Sequence, residues 1–305
     1  MRVFIAGATG VLGRRLIQQF RAQGDTVICL VREAVGERVV KSLGGESRYV
    51  DLFDADALAH AAEGCEVVIH AAISIPVKAK PTPKDWEMND HIRRAGTRAL
   101  TACTAKIGAR LYIQQSVIWV ARPLDGSFFD EDSRPCPDSI SVSALDGETI
   151  AREAGAQSGF DVTVLRCGWF YGDDAPHTKG FADSLRKRQL PIIGNGNAIW
   201  ACLHLDDAAR AFLSAAKVKQ SGVWHIVDDH PVRVKDFIKY FAERLTAPSP
   251  LYVPAWLARL VAGAYATDFF TLSSRTSNAR FRRDFGWVPQ FPTFKEGIDQ
   301  CVASW

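Results

Sequence analysis

The sequence lacks the features that mark several specialised classes of protein. Its seven cysteines are scattered and form no C-x-x-C pair, so we expect reduced thiols and no metal site. Its net charge of +3 is too small to indicate nucleic-acid binding, and it has no apolar run long enough to cross a bilayer. We therefore expect a cytoplasmic protein that has no signal peptide and binds neither nucleic acid nor a membrane.

The overall composition is ordinary for a globular protein. Hydrophobic residues make up 47% and charged residues 23% of the 305 residues. A chain of this length can bury a large core, which fits one α/β domain with a smaller companion. The clues to function must therefore lie in local motifs.

The strongest motif lies at the start of the chain. Arg2–Ala6 is a short, mostly apolar run typical of a buried parallel strand. Three glycines follow in the spacing G-x-x-G-x-x-G, and Val11–Gln23 then places apolar residues along one helix face. This order forms a phosphate cradle, because the glycines admit a pyrophosphate and the helix N-terminus attracts its charge. The alternative is that the glycines serve only tight packing. The cofactor-binding candidates here are Gly7, Thr9, Gly10, Val11, Leu12 and Gly13.

The residue after the second predicted strand bears on the choice of cofactor. Thr26–Val31 reads as that strand, and Arg32 follows it. In dinucleotide-binding folds an acidic residue here binds a free ribose 2′-hydroxyl, whereas an arginine can pair with a 2′-phosphate. Arg14 offers a second cation. The sequence therefore favours NADP over NAD, although Glu33 leaves open that Arg32 is only a solvated surface residue.

Three further predicted strands end at the same edge of the sheet, where such folds bind their ligands. They are Glu46–Val50, Val67–His70 and Leu111–Gln115. The Ser116 hydroxyl could bond a substrate carbonyl or alcohol. His70 could be catalytic, but we expect it simply to lie beside the cofactor. The residues that follow these strands, and that we expect to face the cleft, are Asp51, Leu52, Ala71, Ala72 and Ser116.

Together with later motifs, these residues resemble the short-chain dehydrogenase/reductase superfamily, in its extended, epimerase/dehydratase-like branch. The resemblance implies an α/β fold, namely a Rossmann-type doubly wound parallel sheet with a small C-terminal substrate-binding lobe. It places the dinucleotide-binding core at residues 1–175, with 200–230 returning to it, and the lobe at 176–199 and 231–305. The matching motifs are Gly7–Gly13, Asp51-Leu52, His70–Ala72, Gly96-Thr97, Gln115-Ser116, Leu165–Gly172, Leu203–Ala208 and His225–Asp229.

The resemblance also implies roles for the residues in the cleft. The three glycines would hold the pyrophosphate, and Arg32 would meet the adenosine ribose or its phosphate. The pair Asp51-Leu52 would lie along the adenine. The pair Ala71-Ala72 would line the path to the nicotinamide ribose, and Ser116 would take the position of the family's catalytic serine.

The chain departs from the family at the proton donor. The family uses a tyrosine and, four residues later, a lysine, whereas this sequence contains no Tyr-x-x-x-Lys. With Glu148 as the anchor, Ile140 stands at the tyrosine position and Ala144 at the lysine position, although the loop over 123–139 leaves another register open. The family's helix asparagine is Arg93 here, which could clamp a carboxylate or carbonyl oxygen. The chain therefore resembles the atypical members of the family.

The second half of the chain supplies candidates around the nicotinamide. The segment Gly168–Gly172 should lie near it, which adds Gly168 and Trp169 to the cofactor-binding candidates. Tyr171 could be a substitute acid or a packing residue. His177, expected in a loop over 173–178, could donate a proton or be an ordinary surface residue. An aromatic lining would suit an apolar or aromatic substrate. The substrate-pocket candidates, with packing as the alternative, are Trp86, Trp119, Trp169, Phe170, His177 and Trp200.

Three functions are consistent with these motifs. The first is an NADPH-dependent reductase of a small apolar or aromatic carbonyl, alkene or imine, with Ser116, Arg93 and Tyr171 as catalytic candidates. The second is a non-catalytic NAD(P)-binding sensor or assembly protein. The third is an epimerase or dehydratase of a sugar-like substrate. We favour the first, with NADP as cofactor and NAD as the alternative. We expect a small-molecule substrate as its partner and leave open a homodimer.

Overall fold

The computed structural model describes residues 1–305 except 77 and 79. Its strands are β1 (Arg2–Ala6), β2 (Thr26–Val31), β3 (Glu46–Tyr49), β4 (Val67–His70), β5 (Leu111–Val117), β6 (Asp161–Cys167), β7 (Trp169–Tyr171), β8 (Ile192–Ile193), β9 (Ile199–Trp200), β10 (Cys202–His204), β11 (Gly222–Ile226), β12 (Val232–Arg233) and β13 (Tyr252–Val253).

The helices alternate with these strands through the first half of the chain and dominate its end. A π-helical segment spans Ile92–Gly96, and a 3₁₀ turn spans Ile118–Ala121. None of the helices in the described part of the chain is long and apolar enough to span a membrane. The α-helices are α1 (Val11–Ala22), α2 (Ala34–Ser42), α3 (Ala55–Ala61), α4 (Pro83–His91), α5 (Thr97–Lys106), α6 (Val142–Ser158), α7 (Pro176–Arg186), α8 (Leu205–Val218), α9 (Val234–Arg244), α10 (Ala255–Thr271), α11 (Ala279–Phe285) and α12 (Phe294–Ala303).

A seven-stranded sheet forms the centre of the molecule, in the order β11-β6-β5-β4-β1-β2-β3. All of its neighbouring strands pair in parallel. The predicted Rossmann-type α/β fold is therefore confirmed. The strand order reverses between β1 and β4, and in such sheets a ligand-binding crevice opens at the carboxyl ends of the two strands that flank this point.

Both faces of the sheet are covered by helices, because successive strand residues point to opposite sides. Val3 and Ile5 face a cluster that contains Leu16 of α1 and Phe212 of α8. Phe4 faces the opposite cluster, which α3, α5 and α6 cover. Burial on both faces explains why the central strands are almost wholly apolar.

A third hydrophobic cluster builds the lobe beside the sheet. It joins Tyr171 of β7, Trp200 of β9, Phe237 of α9 and Ile298 of α12. Between the elements of this cluster the chain returns to the sheet, where β11 forms the edge strand beside β6. The boundaries given above for core and lobe stay a prediction.

Several local expectations needed correction. Helix α2 has no counterpart among the predicted elements, and residues 84–106, whose sequence predicts a single helix, are divided by the π-helical segment into α4 and α5. The segment ends in a closely packed glycine, since a Cβ at Gly96 would lie 3.1 Å from the Leu52 side chain. His177 lies in the first turn of α7 rather than in a loop, and Pro176 at the first helical position favours that start.

Candidate functional site

The glycine turn packs tightly against the end of β4. Gly7 has a φ of 92°, and a Cβ there would lie 2.4 Å from the carbonyl carbon of Ala71. A Cβ at Gly13 would lie 2.1 Å from the carbonyl oxygen of Gly7. Packing alone therefore requires two of the three glycines, as the alternative interpretation of the motif supposed.

Gly10 is different, because packing makes a weaker demand on it. It is exposed, its φ of −71° suits any residue, and the one atom near an added Cβ is the Gly7 carbonyl oxygen at 3.3 Å. Gly10 precedes the first turn of α1, where free N–H groups and the helix dipole favour an anion. The missing side chain thus leaves space where a pyrophosphate would fit.

A cleft of about 590 Å³ opens beside this turn. Val11, Leu12, Gly13, Gly168 and Trp169, which were also predicted to bind the cofactor, do not line it. No signal in the sequence identified the apolar residues of its wall, because they come from chain segments between the motifs. The cleft is lined by the predicted Gly7, Thr9, Gly10, Arg32, Asp51, Leu52, Ala71 and Ala72, and also by Leu30, Val31, Tyr49, Val50, Phe53, Ile73, Ser74, Met88 and Ile92.

The two arginines considered for a 2′-phosphate lie in different surroundings. Arg32 is exposed at the rim of the cleft, and its side chain has no hydrogen-bonding partner among the described residues. Arg14 instead donates to the Thr9 carbonyl at 3.0 Å and to Asp174 at 2.5 Å. Arg32 is therefore the cation that remains available to a ligand.

His70 at the end of β4 is buried and held in its neutral form. Its Nε2 lies 3.3 Å from the Ile92 carbonyl, and its Nδ1 accepts a hydrogen bond from the Ala72 amide at 3.4 Å. Burial lowers the pKa of His70 to about 4, and the charge of Arg93 adds to this effect. His70 therefore stays uncharged near neutral pH.

The Ser116 hydroxyl is hydrogen-bonded to a buried ion pair. Its hydroxyl donates to Glu148 of α6, and Glu148 is held by the Arg166 guanidinium at 2.7 Å. All three side chains are buried. Because the hydroxyl hydrogen is directed at a carboxylate, Ser116 in this arrangement can accept a hydrogen bond from a ligand but cannot donate one.

Tyr171 lies inside the lobe rather than at an open surface. Its side chain is fully buried, and its hydroxyl has no partner among the described residues. A side chain at Gly297 of α12 would come within 2.2 Å of that hydroxyl. Burial raises the pKa of Tyr171 well above its usual value, and the charge of Asp228 adds to this effect. This position favours a packing role for Tyr171 over proton donation.

Arg93 lies in the π-helical segment and retains free hydrogen-bond donors. Its Nη1 donates to the Ile140 carbonyl at 2.8 Å and to the Ser143 hydroxyl at 3.3 Å. Its Nε and Nη2 find no acceptor among the described residues, yet neither atom is sealed in the interior. Of the three catalytic candidates, Arg93 is thus the one whose unused donors are not sealed in the interior, unlike the buried hydroxyl of Tyr171.

The predicted pocket aromatics fall into two groups. Trp169, Trp200 and Phe269 form one ring cluster, with centroids 4.9 to 5.9 Å apart, and Trp119 approaches Phe269 at 6.4 Å. Trp86 lies apart from them, edge-on to Tyr265 of α10 at 5.5 Å. The cluster brings together residues from β7, β9, α10 and the 3₁₀ turn.

Phe170 and His177 belong to the edges of this region. Phe170 is half-buried and packs against the cluster under α1. His177 is exposed, and its Nε2 lies 2.6 Å from the Phe170 carbonyl.

A second groove, of about 760 Å³, shares no lining residue with the cleft and lies against Phe128, Arg233 and Arg275.

Within the described residues there is no group of three His, Cys, Asp or Glu side chains that could hold a metal ion.

Comparisons with known proteins agree with this geometry. The model of the NAD-dependent epimerase/dehydratase family matches residues 3–226. The chain is 30% identical to a 3-diazoavenalumate denitrifying reductase from Streptomyces sp, over 98% of this chain and 99% of that protein. It is 25% identical to a 4-hydroxy-2-methyl-3-oxo-4-farnesyl-3,4-dihydroquinoline-1-oxide ketoreductase from Stigmatella aurantiaca, over 80% and 73% of the two chains.

Solved structures share the fold at lower identity. The human epimerase family protein SDR39U1, crystallised with NADPH, has a TM-score of 0.84 and 18% identity, and the match covers 100% of both chains. The dTDP-glucose 4,6-dehydratase DesIV from Streptomyces venezuelae, crystallised with NAD, has a TM-score of 0.82 and 20% identity over 99% and 96%. These two structures therefore support the fold and leave the choice between NADP and NAD open.

The buried neutral His70 predicts a specific pH dependence of stability. Between the unfolded pKa of about 6.5 and the folded pKa of about 4, the unfolded chain binds a proton that the folded chain does not. Stability is therefore lost as the pH falls through this window, by about 2 kcal/mol between pH 7 and pH 5. We expect the variant His70→Asn to lose less stability than the unmodified protein over that range, as measured by urea denaturation.

The exposed His60 provides the control for this prediction. His60→Asn removes an exposed histidine and leaves the buried His70 in place, so it should keep the pH dependence of the unmodified protein. Equal pH dependence in His70→Asn and His60→Asn would show that His70 titrates normally.

The geometry of the glycine turn predicts that Gly10 can be changed without unfolding the protein. In Gly10→Ala the new methyl group occupies the proposed pyrophosphate position, and we expect dinucleotide affinity to fall by about tenfold or more. Titration of nicotinamide fluorescence measures this loss, and thermal unfolding checks that the fold is intact. Gly180→Ala in α7, where an added Cβ meets nothing within 4 Å, is the matched control. Unchanged affinity in Gly10→Ala would contradict the assignment.

Proposed function

The chain belongs to the NAD-dependent epimerase/dehydratase family of short-chain dehydrogenase/reductase proteins, and from that premise we propose that it is an NADPH-dependent reductase. Its acceptor would be a small apolar or aromatic carbonyl, alkene or imine. The observations that support this proposal are the cleft lined by the glycine turn and Arg32, and three candidate residues of which none is a free proton donor. Ser116 is bound to Glu148, Tyr171 lies in the lobe core and His70 is neutral.

None of the candidates Ser116, Tyr171 and His70 is a free base, which weighs against an epimerase or dehydratase. Those reactions begin with oxidation of a sugar hydroxyl, which needs a group to take its proton. A reductase needs only an oriented, polarised acceptor, and the proton can come from water. Two relatives of this chain are named as reductases, which supports the same direction.

Different residues of the cleft would bind different parts of the dinucleotide. Gly7, Gly10 and the N-terminus of α1 would hold the pyrophosphate, and Arg32 would pair with a ribose 2′-phosphate. The pair Asp51-Leu52 would lie along the adenine, and the pair Ala71-Ala72 would leave room for the nicotinamide ribose. The nicotinamide, when bound, would supply the hydride. Arg93 would stabilise negative charge that develops on the acceptor, since it is the candidate whose unused donors are not sealed in the interior.

An acceptor that releases a neutral leaving group would suit this site especially well. When a hydride adds to an aryl diazonium carbon, the carbon–nitrogen bond breaks, its electron pair leaves with N₂, and no proton is consumed. The Streptomyces relative is named for the denitrifying reduction of a diazo compound. We therefore place an aryl diazonium salt among the acceptors to be tested on this chain.

The first test of the proposal is cofactor preference. Arg32→Ala should lower NADPH affinity by about tenfold or more, because the phosphate loses its charged partner, and should change NADH affinity by less than about twofold. Fluorescence titration of both cofactors measures this. Arg48→Ala is the control, because Arg48 lies on the adjacent β3 and is paired with Glu46 instead of lining the cleft. An equal loss for both cofactors in Arg32→Ala would argue against NADP.

The second test is turnover. We expect the purified protein to oxidise NADPH in the presence of at least one member of a panel containing an aryl aldehyde, an enone, a cyclic imine and an aryl diazonium salt. Absorbance of NADPH and identification of the product measure this. Cofactor binding with no turnover of any acceptor would favour the non-catalytic alternative, and interconversion of nucleotide sugars would favour the epimerase.

A further inference from the structure

A second arginine, Arg122, contacts the same turn as Arg93 and is half-buried. The Arg122 side chain is 10% exposed, and its Nη2 approaches Asp138 at 3.3 Å. Asp138 also accepts from the Ile140 amide at 3.1 Å, while the Ile140 carbonyl accepts from Arg93. The short turn over 138–140 therefore contacts both guanidinium groups, Arg122 through the Asp138 carboxylate and Arg93 through the Ile140 carbonyl.

The charges at this place do not balance. Arg93 has no carboxylate within 4 Å among the described residues, whereas its neighbour Arg94 is paired with Asp146 at 2.7 Å and with Asp90 at 3.8 Å. Among the described residues, Asp138 is the acid within 4 Å of Arg122, and its own side chain is 42% exposed. Buried cations are normally paired, because burial without a partner costs several kcal/mol. Arg93, which has free donors and only the longer-range charges of Asp90 and Asp138 acting on it, thus retains the capacity to bind an anion.

The arginine pair lies next to the aromatic cluster. Tyr265 of α10 is close enough to Arg93, Arg122 and Asp138 to interact with their charges. Phe269 follows Tyr265 by one helical turn, so the two rings share a face of α10. On the opposite wall Trp119, which contacts Phe269, precedes Arg122 by three residues. The site therefore has a cationic end and an aromatic end.

We propose that Arg93 and Arg122 form a carboxylate-binding subsite, and that the substrate is a planar aromatic carboxylate. This inference rests on the proposed function and specifies its substrate class. A guanidinium presents two parallel N–H donors that match the two oxygens of a carboxylate. A flat conjugated ring extending from that carboxylate lies against the rings of Trp119, Trp169 and Phe269. An aliphatic or sugar acid would make poorer contact with these rings.

Binding of paired probes tests the subsite directly. The protein is saturated with NADP⁺, and 4-hydroxycinnamate or its methyl ester is titrated while tryptophan fluorescence is followed. We expect the carboxylate to bind about tenfold or more tightly than the ester, because a charged hydrogen-bonded pair is lost in the ester. Arg93→Met and Arg122→Met should each abolish most of this difference, and high salt should reduce it in the unmodified protein.

Arg94→Met is the matched control, since Arg94 is adjacent in sequence but already paired. It should keep the preference for the carboxylate, and all three variants should keep the NADPH affinity of the unmodified protein. Equal binding of the two probes, no binding of the carboxylate at millimolar concentration, or the same loss in Arg94→Met would each overturn the inference. NADPH binding is scored separately, so its absence would refute the proposed function without deciding the carboxylate test.

Discussion

The approach of the glycine turn to the end of β4 determines where the rest of the site lies. The Ala71 amide donates to the Ala6 carbonyl at 2.9 Å, and Gly7 then passes so close to Ala71 that no side chain would fit. Gly13 passes equally close to Gly7, which fixes the start of α1 against the sheet. The cleft exists because these contacts close the base of the turn while Gly10 stays exposed above it.

A buried arginine connects this turn to distant parts of the chain. Arg15 of α1 donates to Asp173 at 2.7 Å, and to Asp174 and Asp206 at 2.5 Å each. The segment after β7 and the start of α8 are therefore held against α1. Arg14 takes part in the same contacts through Asp174, and for this reason Arg32 alone remains at the rim of the cleft.

The sequence predicted the parts of the fold that depend on local pattern. The central strands are short apolar runs with turn residues after them, so β1, β2 and β4 were predicted with their observed bounds. What the sequence could not show depends on distant contacts. The Ser116 hydroxyl is not free, because it donates its hydrogen bond to Glu148 of α6. The Tyr171 side chain can be buried because Gly297 of α12 has no side chain to occupy the space of its hydroxyl. Neither contact has a signature in the residues around it.

The same distinction explains why the chemistry is harder to derive than the fold. A catalytic role requires a hydrogen-bond donor that is close to the substrate and not already bound to an acceptor. Whether a donor is bound depends on every polar group around it. Ser116 has the expected position in the sheet but no free hydrogen, whereas two nitrogens of Arg93 have no acceptor within the part of the chain that the structure describes. A guanidinium stays protonated even though burial lowers its pKa, so it can stabilise charge but cannot deliver a proton near neutral pH. Under the proposed function, the site would bind and polarise an anionic acceptor, and neither Ser116 nor Arg93 would supply the proton that the reaction needs.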